Sequence, residues 1–168
     1  ADGNLNPMFK TNQNKSLSQQ DVSHTIESMG TSLYLWTKLL FENNLFANKA
    51  SVVGLTSEGA RMFFKDYAAV AAAKAVMESN IRYIAIELAK FGIRANLVNA
   101  GIISSKALEV FPEYKSFLEK AETRNPNGRL TKCDDIAKVL TFLASDDSVW
   151  INGSTITVDG GEQLISVT

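Results

Sequence analysis

A tyrosine and a lysine, Tyr67 and Lys74, stand seven residues apart in an alanine-rich stretch. In a helix this spacing places both side chains on nearly one face, roughly 20° out of register. An ammonium group lowers the cost of phenolate character, so the phenol can donate to an oxyanion that develops beside it. An ordinary helix with a tyrosine near its start and a surface lysine has the same spacing. Because exposed lysines are common, the spacing alone favours that ordinary helix.

A long helix, predicted over residues 66–91, carries this pair and ends before Gly92. The remaining elements follow from apolar periodicity: helices at 22–40, at 113–123 and from a capping box at Thr131 and Asp134, and strands at 50–55, 93–98 and 155–158. The first helix has a stripe that includes Trp36, and Arg94 and Asn96 predict a second strand that is not apolar on both faces. Alternating helices and strands predict an α/β fold with a doubly wound parallel sheet.

The composition of the 168 residues argues against several classes of function. A hydrophobic content of 45% and a net charge of -1 are typical of one globular domain without a nucleic-acid or membrane-surface footprint. No apolar run is long enough to predict a membrane span. The single cysteine, Cys133, can form neither an internal disulfide nor a cysteine-based zinc cluster, which fits a cytoplasmic location. We expect no metal site, because Asp159-Gly160-Gly161 is a turn.

Four segments around the pair match, in order and spacing, the short-chain dehydrogenase/reductase family, which the chain resembles. They are residues 53–57, 67–75, 93–96 with Ala100-Gly101, and 151–161. The resemblance implies a Rossmann-like fold of which residues 1–168 form the C-terminal two-thirds, as a single domain fragment. The glycine-rich loop that binds the pyrophosphate is not in this sequence. We therefore expect a missing N-terminal nucleotide-binding part, without which three strands leave an open edge and an unstable piece.

One departure from the family pattern points to a particular branch. Ordinary members carry a tyrosine four residues before the lysine, where this chain has Val70. The Tyr-x6-Lys spacing resembles enoyl-acyl-carrier-protein reductases, and residues 106–112 and 125–130 are similar to an NADPH-using type of some Gram-positive bacteria. Such enzymes add hydride to the β-carbon, and negative charge appears on the distant thioester oxygen. Moving the donor by one helical turn, roughly 5 Å, suits that change.

The resemblance implies roles for the residues that face the cofactor. Tyr67 would be the catalytic acid, and Lys74 would bind the ribose hydroxyls of the nicotinamide half. Gly101 would allow close approach of the backbone. The backbone of Ile103 would pair with the nicotinamide carboxamide, and the Ser105 hydroxyl would reach the carboxamide or the pyrophosphate. Without the resemblance, this segment is a plain turn at a strand end.

Ser57 stands where ordinary members keep a catalytic serine and where many enoyl reductases have a second tyrosine. It either donates a hydrogen bond to the substrate oxygen or satisfies the strand end, and the sequence leaves both interpretations open. The family's relay asparagine has no counterpart in the matching residues 27–30. A proton relay of the usual kind is therefore not expected.

Residues 102–130 are expected to form a substrate-binding lid. Leu108 and Phe111 from this segment, together with Phe64 from the loop before Tyr67, would wall an acyl pocket. The alternative is a satellite hydrophobic cluster with no ligand.

These expectations imply NADPH- or NADH-dependent reduction of an enoyl thioester on acyl carrier protein, by a homotetramer assembled through the two long helices. Two alternatives remain: a family reductase acting on another enoyl or carbonyl substrate, and an inactive half-reductase scaffold.

Overall fold

The computed structural model describes residues 3–10, 15–106, 108–109 and 113–166. Three strands form one sheet: β1 (Ser51–Ser57), β2 (Arg94–Ala100) and β3 (Thr155–Val158). The helices are α1 (Gln19–Ile26), α2 (Ser32–Glu42), α3 (Ala68–Leu88), α4 (Tyr114–Arg124) and α5 (Cys133–Ala144). None of the helices in the described ranges is both long and apolar enough to cross a membrane.

The sheet is parallel in the order β1-β2-β3, with helices packed against both of its faces. On one face α2 and α3 pack through a core that includes Ile81 and Leu97. On the other face α5 packs through a core that includes Val98 and Leu143. Neighbouring residues of β2 point to opposite faces, so a strand buried on both sides serves two cores. The predicted α/β fold with a doubly wound parallel sheet is confirmed.

A π-helical turn, Glu27–Thr31, separates α1 from α2 and corrects the predicted stripe of the first helix. Gly30 in this turn packs so closely on α3 that a Cβ atom there would lie 2.7 Å from the carbonyl oxygen of Ala73. A π-helical turn contains one residue more than an α-helical turn. In the helix that follows, the residues that face the core are therefore shifted by one position along the sequence. Thr37 is therefore buried, and Trp36, expected to point inward, is 64% exposed.

The second strand also differs from its prediction, because its polar residues lie inside the fold and not on an exposed face. Arg94, Asn96 and Asn99 are buried. The Arg94 guanidinium donates to the carbonyl oxygens of Ser148 at 2.9 Å and Ser145 at 3.2 Å, at the end of α5. Asn96 donates to the Ile151 carbonyl at 2.9 Å. Polar residues are thus compatible with burial on both faces of β2, since backbone groups of neighbouring elements pair with them.

The start of α5 lies one residue later than the predicted capping box. The Asp135 carboxylate accepts a hydrogen bond from the backbone N–H of Lys132 at 2.9 Å, so this pair replaces Thr131 and Asp134. Thr131 is buried instead, and its N–H donates to the Ile102 carbonyl at 3.1 Å. The shift places Thr131 directly beside the segment that follows β2.

Candidate functional site

The three strands end at one edge of the sheet, and the candidate site lies at that edge. Ser57, the last residue of β1, is in register with Ala100, and Ala100 is in register with Val158. The carboxyl edge of an open parallel sheet is where α/β proteins bind ligands. Gly101 follows β2 directly at this edge. Helix α3 begins nearby, after the loop that follows β1.

Tyr67 directly precedes α3 and is half-buried against that loop. A Cβ atom on Gly59 would lie 2.5 Å from Cε1 of the tyrosine, so only a glycine leaves room for the ring. The ring of Phe64 packs edge-on to it, with centroids 6.1 Å apart. Asp66 turns the chain into the helix with a φ of 60°, a left-handed conformation that aspartate tolerates better than most residues. These contacts hold the phenol in one place.

The environment of the Tyr67 hydroxyl keeps it protonated. Burial raises the pKa of the phenol, and a hydrogen bond with the Ser57 side chain lowers it by less, so the pKa stays above its ordinary value. At neutral pH the group is therefore a proton or hydrogen-bond donor. Ser57 Oγ lies on the same side of Gly59 as the tyrosine ring, 3.4 Å from where a Cβ atom of that residue would stand.

Lys74 lies two turns along α3, where its ammonium points back to β1. Its Nζ donates to the carbonyl oxygen of Leu55 at 2.7 Å. Burial lowers the pKa of the ammonium. One of its three N–H groups is used by this bond, which leaves two for a ligand with paired hydroxyls, such as a ribose.

Val70 occupies the position where ordinary family members carry their tyrosine, and it is 3% exposed. A Cβ atom on Gly3 would lie 2.7 Å from its Cγ2 atom and 3.0 Å from Sδ of Met29. The position is therefore part of the apolar packing between α3 and the first segment of the chain. It offers no donor to the site.

The segment after β2 contains the three residues expected to face the cofactor. A Cβ atom on Gly101 would lie 2.3 Å from Oγ1 of Thr131 and 2.9 Å from Cα of Asp159, so packing alone requires glycine there. The Ile103 side chain packs against the core on the α5 face. Ser105 is exposed, and its carbonyl accepts a hydrogen bond from the N–H of Leu108 at 2.9 Å.

An apolar cavity of about 210 Å³ opens beside Tyr67. Its walls include the sequence-predicted residues Phe64, Tyr67 and Leu108, and α4 contributes Phe117, whose ring centroid lies 5.9 Å from that of Phe64. Phe111 lies outside the described residues. A donor at the mouth of an apolar cavity suits a substrate with one polar reacting group and a hydrocarbon tail. Within the described residues no group of three His, Cys, Asp or Glu side chains is placed to hold a metal.

Sequence reasoning missed a buried ionic cluster next to this cavity. It consists of Glu58, Arg124 and Glu162, in which the guanidinium contacts both carboxylates. None of the three residues is given a role by the sequence. The sequence does place an acidic residue soon after the end of β1 and another soon after the end of β3. Because buried charges need a partner, two such residues at one edge of the sheet could have indicated a basic residue between them.

Comparisons with known proteins agree with this geometry. A family model described as "Enoyl-(Acyl carrier protein) reductase" matches residues 5–163. The chain is 34% identical over 128 residues, 73% of its length, to a protein of Streptomyces collinus named 1-cyclohexenylcarbonyl-CoA reductase. It is 32% identical over 161 residues, 95% of its length, to a chloroplastic NADPH-dependent aldehyde reductase-like protein of Arabidopsis thaliana.

A solved structure of similar fold is the enoyl-[acyl-carrier-protein] reductase (NADH) of Aquifex aeolicus. Its TM-score is 0.83 at 27% identity, and the match covers 90% of this chain and 59% of that one. The matched part is 44% of the Streptomyces protein and 58% of the Arabidopsis protein. The chain therefore spans about half the length of the relatives that it matches.

Proposed function

Since the chain belongs to the enoyl-(acyl carrier protein) reductase family, we propose that it carries the catalytic part of an enzyme that reduces the carbon–carbon double bond of an enoyl thioester on acyl carrier protein. The observation that carries this proposal is a protonated Tyr67 in the wall of a largely apolar cavity, while Val70 is buried away from it. The reductant is NADH or NADPH. One relative is named for NADPH and one solved structure for NADH, so the comparisons support a nicotinamide cofactor without deciding between the two.

Tyr67 would act on the substrate oxygen. When bound, the reduced nicotinamide supplies the hydride that adds to the β-carbon. The electron pair of the double bond would move towards the carbonyl, and the Tyr67 hydroxyl would donate a hydrogen bond to the enolate oxygen. A proton taken up from solvent at the α-carbon would complete the saturated thioester. A donor fixed by Gly59 and Phe64 needs little reorganisation as that charge develops. Ser57, bonded to the same phenol, would orient it.

The remaining site residues would hold the cofactor and the acyl chain. The two spare N–H groups of Lys74 fit the ribose hydroxyls of the nicotinamide half. Gly101, Ile103 and Ser105 would line the carboxamide side, at the strand edge next to Ser57. Phe64, Leu108 and Phe111 would enclose the acyl chain, with residues 102–130 as the lid.

A second candidate is a thioester of coenzyme A in place of acyl carrier protein, which the name of the Streptomyces relative favours. A carbonyl substrate, as the name of the Arabidopsis relative suggests, fits less well. The buried Val70 leaves no donor at the ordinary tyrosine position. An inactive scaffold also fits less well, since Tyr67 and Lys74 are both kept and both lie at the strand edge.

We also propose that the complete protein forms a homotetramer through its two long helices. Large apolar side chains are exposed on both of them: Leu35, Trp36 and Leu39 on α2, and Ile86 on α3. Apolar patches of this kind mark association surfaces.

Replacing Tyr67 with phenylalanine tests the proposed reaction. The complete protein would be mixed with crotonyl thioester and NADPH or NADH, and the loss of the reduced cofactor's absorbance followed. Removing one oxyanion donor lowers kcat by about 100- to 1000-fold, so Tyr67→Phe should nearly abolish turnover. Tyr83→Phe is the matched control, because Tyr83 is on the same helix and 66% exposed. Activity on ketones alone, or equal activity of both variants, would contradict the proposal.

A further inference from the structure

The buried cluster of Glu58, Arg124 and Glu162, here called the ionic anchor, lies at the edge of the sheet. Nη2 of Arg124 donates to Oε1 of Glu162 at 2.7 Å and also to Oε1 of Glu58. The side chains of Glu162, Glu58 and Arg124 are 0%, 9% and 15% exposed. Burial opposes the charge of the guanidinium, but hydrogen bonds with both carboxylates outweigh it and raise the pKa of Arg124. Buried charges persist in this way only when they are paired.

The ionic anchor joins three parts of the candidate site. Glu58 follows Ser57 and precedes Gly59, on which the Tyr67 ring lies. Glu162 is in the turn after β3, and its second carboxylate oxygen accepts a hydrogen bond from the N–H of Ile102 at 3.2 Å. Arg124 therefore bonds both to the turn beneath the tyrosine and to the residue that supports the cofactor segment.

The third part is the lid helix α4, of which Arg124 is the last residue. Ser116, Phe117 and Lys120 of this helix line the cavity beside Tyr67. Within the described ranges, α4 has no extensive packing contact with another helix or strand. Its attachments include the contact between Phe117 and Phe64, the ionic anchor, and the side chain of Asn125 directly after the helix, which donates to the Asp159 carbonyl at 2.8 Å.

We propose that Arg124 is a positioning residue that holds α4 over the acyl cavity, and so makes the enzyme selective for longer acyl chains. This inference rests on the proposed function, because it assigns a role to the wall of the same cavity. A substrate tail that contacts α4 gains binding energy only while the helix is in place. A short acyl group that ends near Tyr67 does not reach α4 and is indifferent to it.

The kinetic test compares crotonyl and octenoyl thioesters of acyl carrier protein with the complete protein and its Arg124→Met variant. The variant should lower kcat/KM for octenoyl relative to crotonyl by about tenfold, through KM, with kcat on crotonyl changed by less than about threefold. A merely structural defect reduces the amount of folded enzyme and lowers kcat/KM equally for both substrates. Arg124→Lys keeps one charged contact and should restore part of the ratio. An unchanged ratio overturns the proposed selectivity.

Arg61→Met is the matched control. Arg61 lies in the loop after Glu58 and pairs with Glu78 at 3.1 Å, but its side chain is 68% exposed. Exposed pairs of this kind contribute little, so the ratio should not change. If Arg124→Met does not fold, the triple variant Glu58→Gln, Arg124→Met, Glu162→Gln replaces it, because no buried charge is then left without a partner. The same loss of selectivity is expected from it.

Amide hydrogen exchange provides a readout that needs no turnover. In Arg124→Met, or in the triple variant, the amides of α4 should exchange faster, while those of α5 keep their wild-type rates. Unchanged amide exchange in α4 would contradict the proposed role of Arg124 in holding the helix, whichever reaction the enzyme catalyses. If wild-type protein reduces no enoyl thioester, the proposed function fails, and exchange in α4 still decides whether Arg124 holds the helix.

Discussion

The two ionisable side chains at the centre of the site are tuned in opposite directions by one cause. Both Tyr67 and Lys74 are half-buried, and burial disfavours the charged form of each. The phenol therefore keeps its proton to higher pH, and the ammonium loses its proton at lower pH than a free lysine. The phenol is therefore protonated at neutral pH, because burial moves its pKa further above that range, and it can donate a hydrogen bond.

This pair makes a prediction about pH dependence. Burial lowers the pKa of Lys74, so this ammonium loses its proton at lower pH than a free lysine, whereas the raised pKa of Tyr67 moves the loss of its proton to higher pH. The alkaline fall in kcat/KM should therefore lie below the pKa of a free lysine and report Lys74. The Lys74→Arg variant should turn over more slowly. The decrease of its kcat/KM at alkaline pH should move to higher pH, because a guanidinium stays charged. A fall at the same pH in both proteins would assign it to another group.

At the scale of elements, buried polar groups attach α5 and β3 to the central strand. Arg94 of β2 donates to the carbonyls of Ser145 and Ser148 where α5 ends. The Asn152 side chain accepts from the Ala95 N–H at 2.9 Å and donates to the Ala85 carbonyl at 2.9 Å. Helix and strand ends leave unpaired backbone groups, and these side chains satisfy them.

Arg94→Met tests how much this attachment stabilises the fold. The change leaves several buried carbonyls without a donor, each at a cost, so the free energy of unfolding should fall by about 2 to 4 kcal/mol. Urea denaturation of the complete protein measures it. Arg82→Met is the control, because Arg82 is exposed and donates to one helix carbonyl at 2.9 Å, so its effect should be within about 0.5 kcal/mol. Equal losses in both variants would contradict the role of Arg94.

At the scale of the whole molecule, the sheet has an unfinished side. In the part of the chain that the structure describes, β1 pairs with β2 alone, and Leu55 on this edge strand is 46% exposed. A parallel edge strand with apolar residues in water is a site of aggregation.

We therefore predict that the 168-residue chain expressed by itself does not melt cooperatively and binds NADPH weakly. Co-expression with the part of a relative that this chain does not match should restore both properties if that part pairs with β1 and covers its open edge. Calorimetry and cofactor fluorescence measure the two. A sharp transition together with tight NADPH binding by the chain alone would refute the prediction.

The sequence by itself determined the features that depend on local spacing. Apolar periodicity predicted the order of helices and strands, and the helical repeat placed Tyr67 and Lys74 on one side of α3. The resemblance in four segments then identified the family. The predicted roles of Gly101, Ile103 and Ser105 in cofactor binding remain predictions, since they concern a bound molecule.

Only the tertiary structure decided which distant groups meet. Arg124 is 66 residues from Glu58 and 38 from Glu162, so no local period signals the ionic anchor. The bond from Lys74 to the Leu55 carbonyl likewise depends on how α3 lies across β1. Such contacts follow from strand order and from the path of the lid, which bring together side chains that local spacing treats as unrelated. The sequence thus predicted Tyr67 and Lys74 as the acid and its partner, and the fold showed which groups contact each of them.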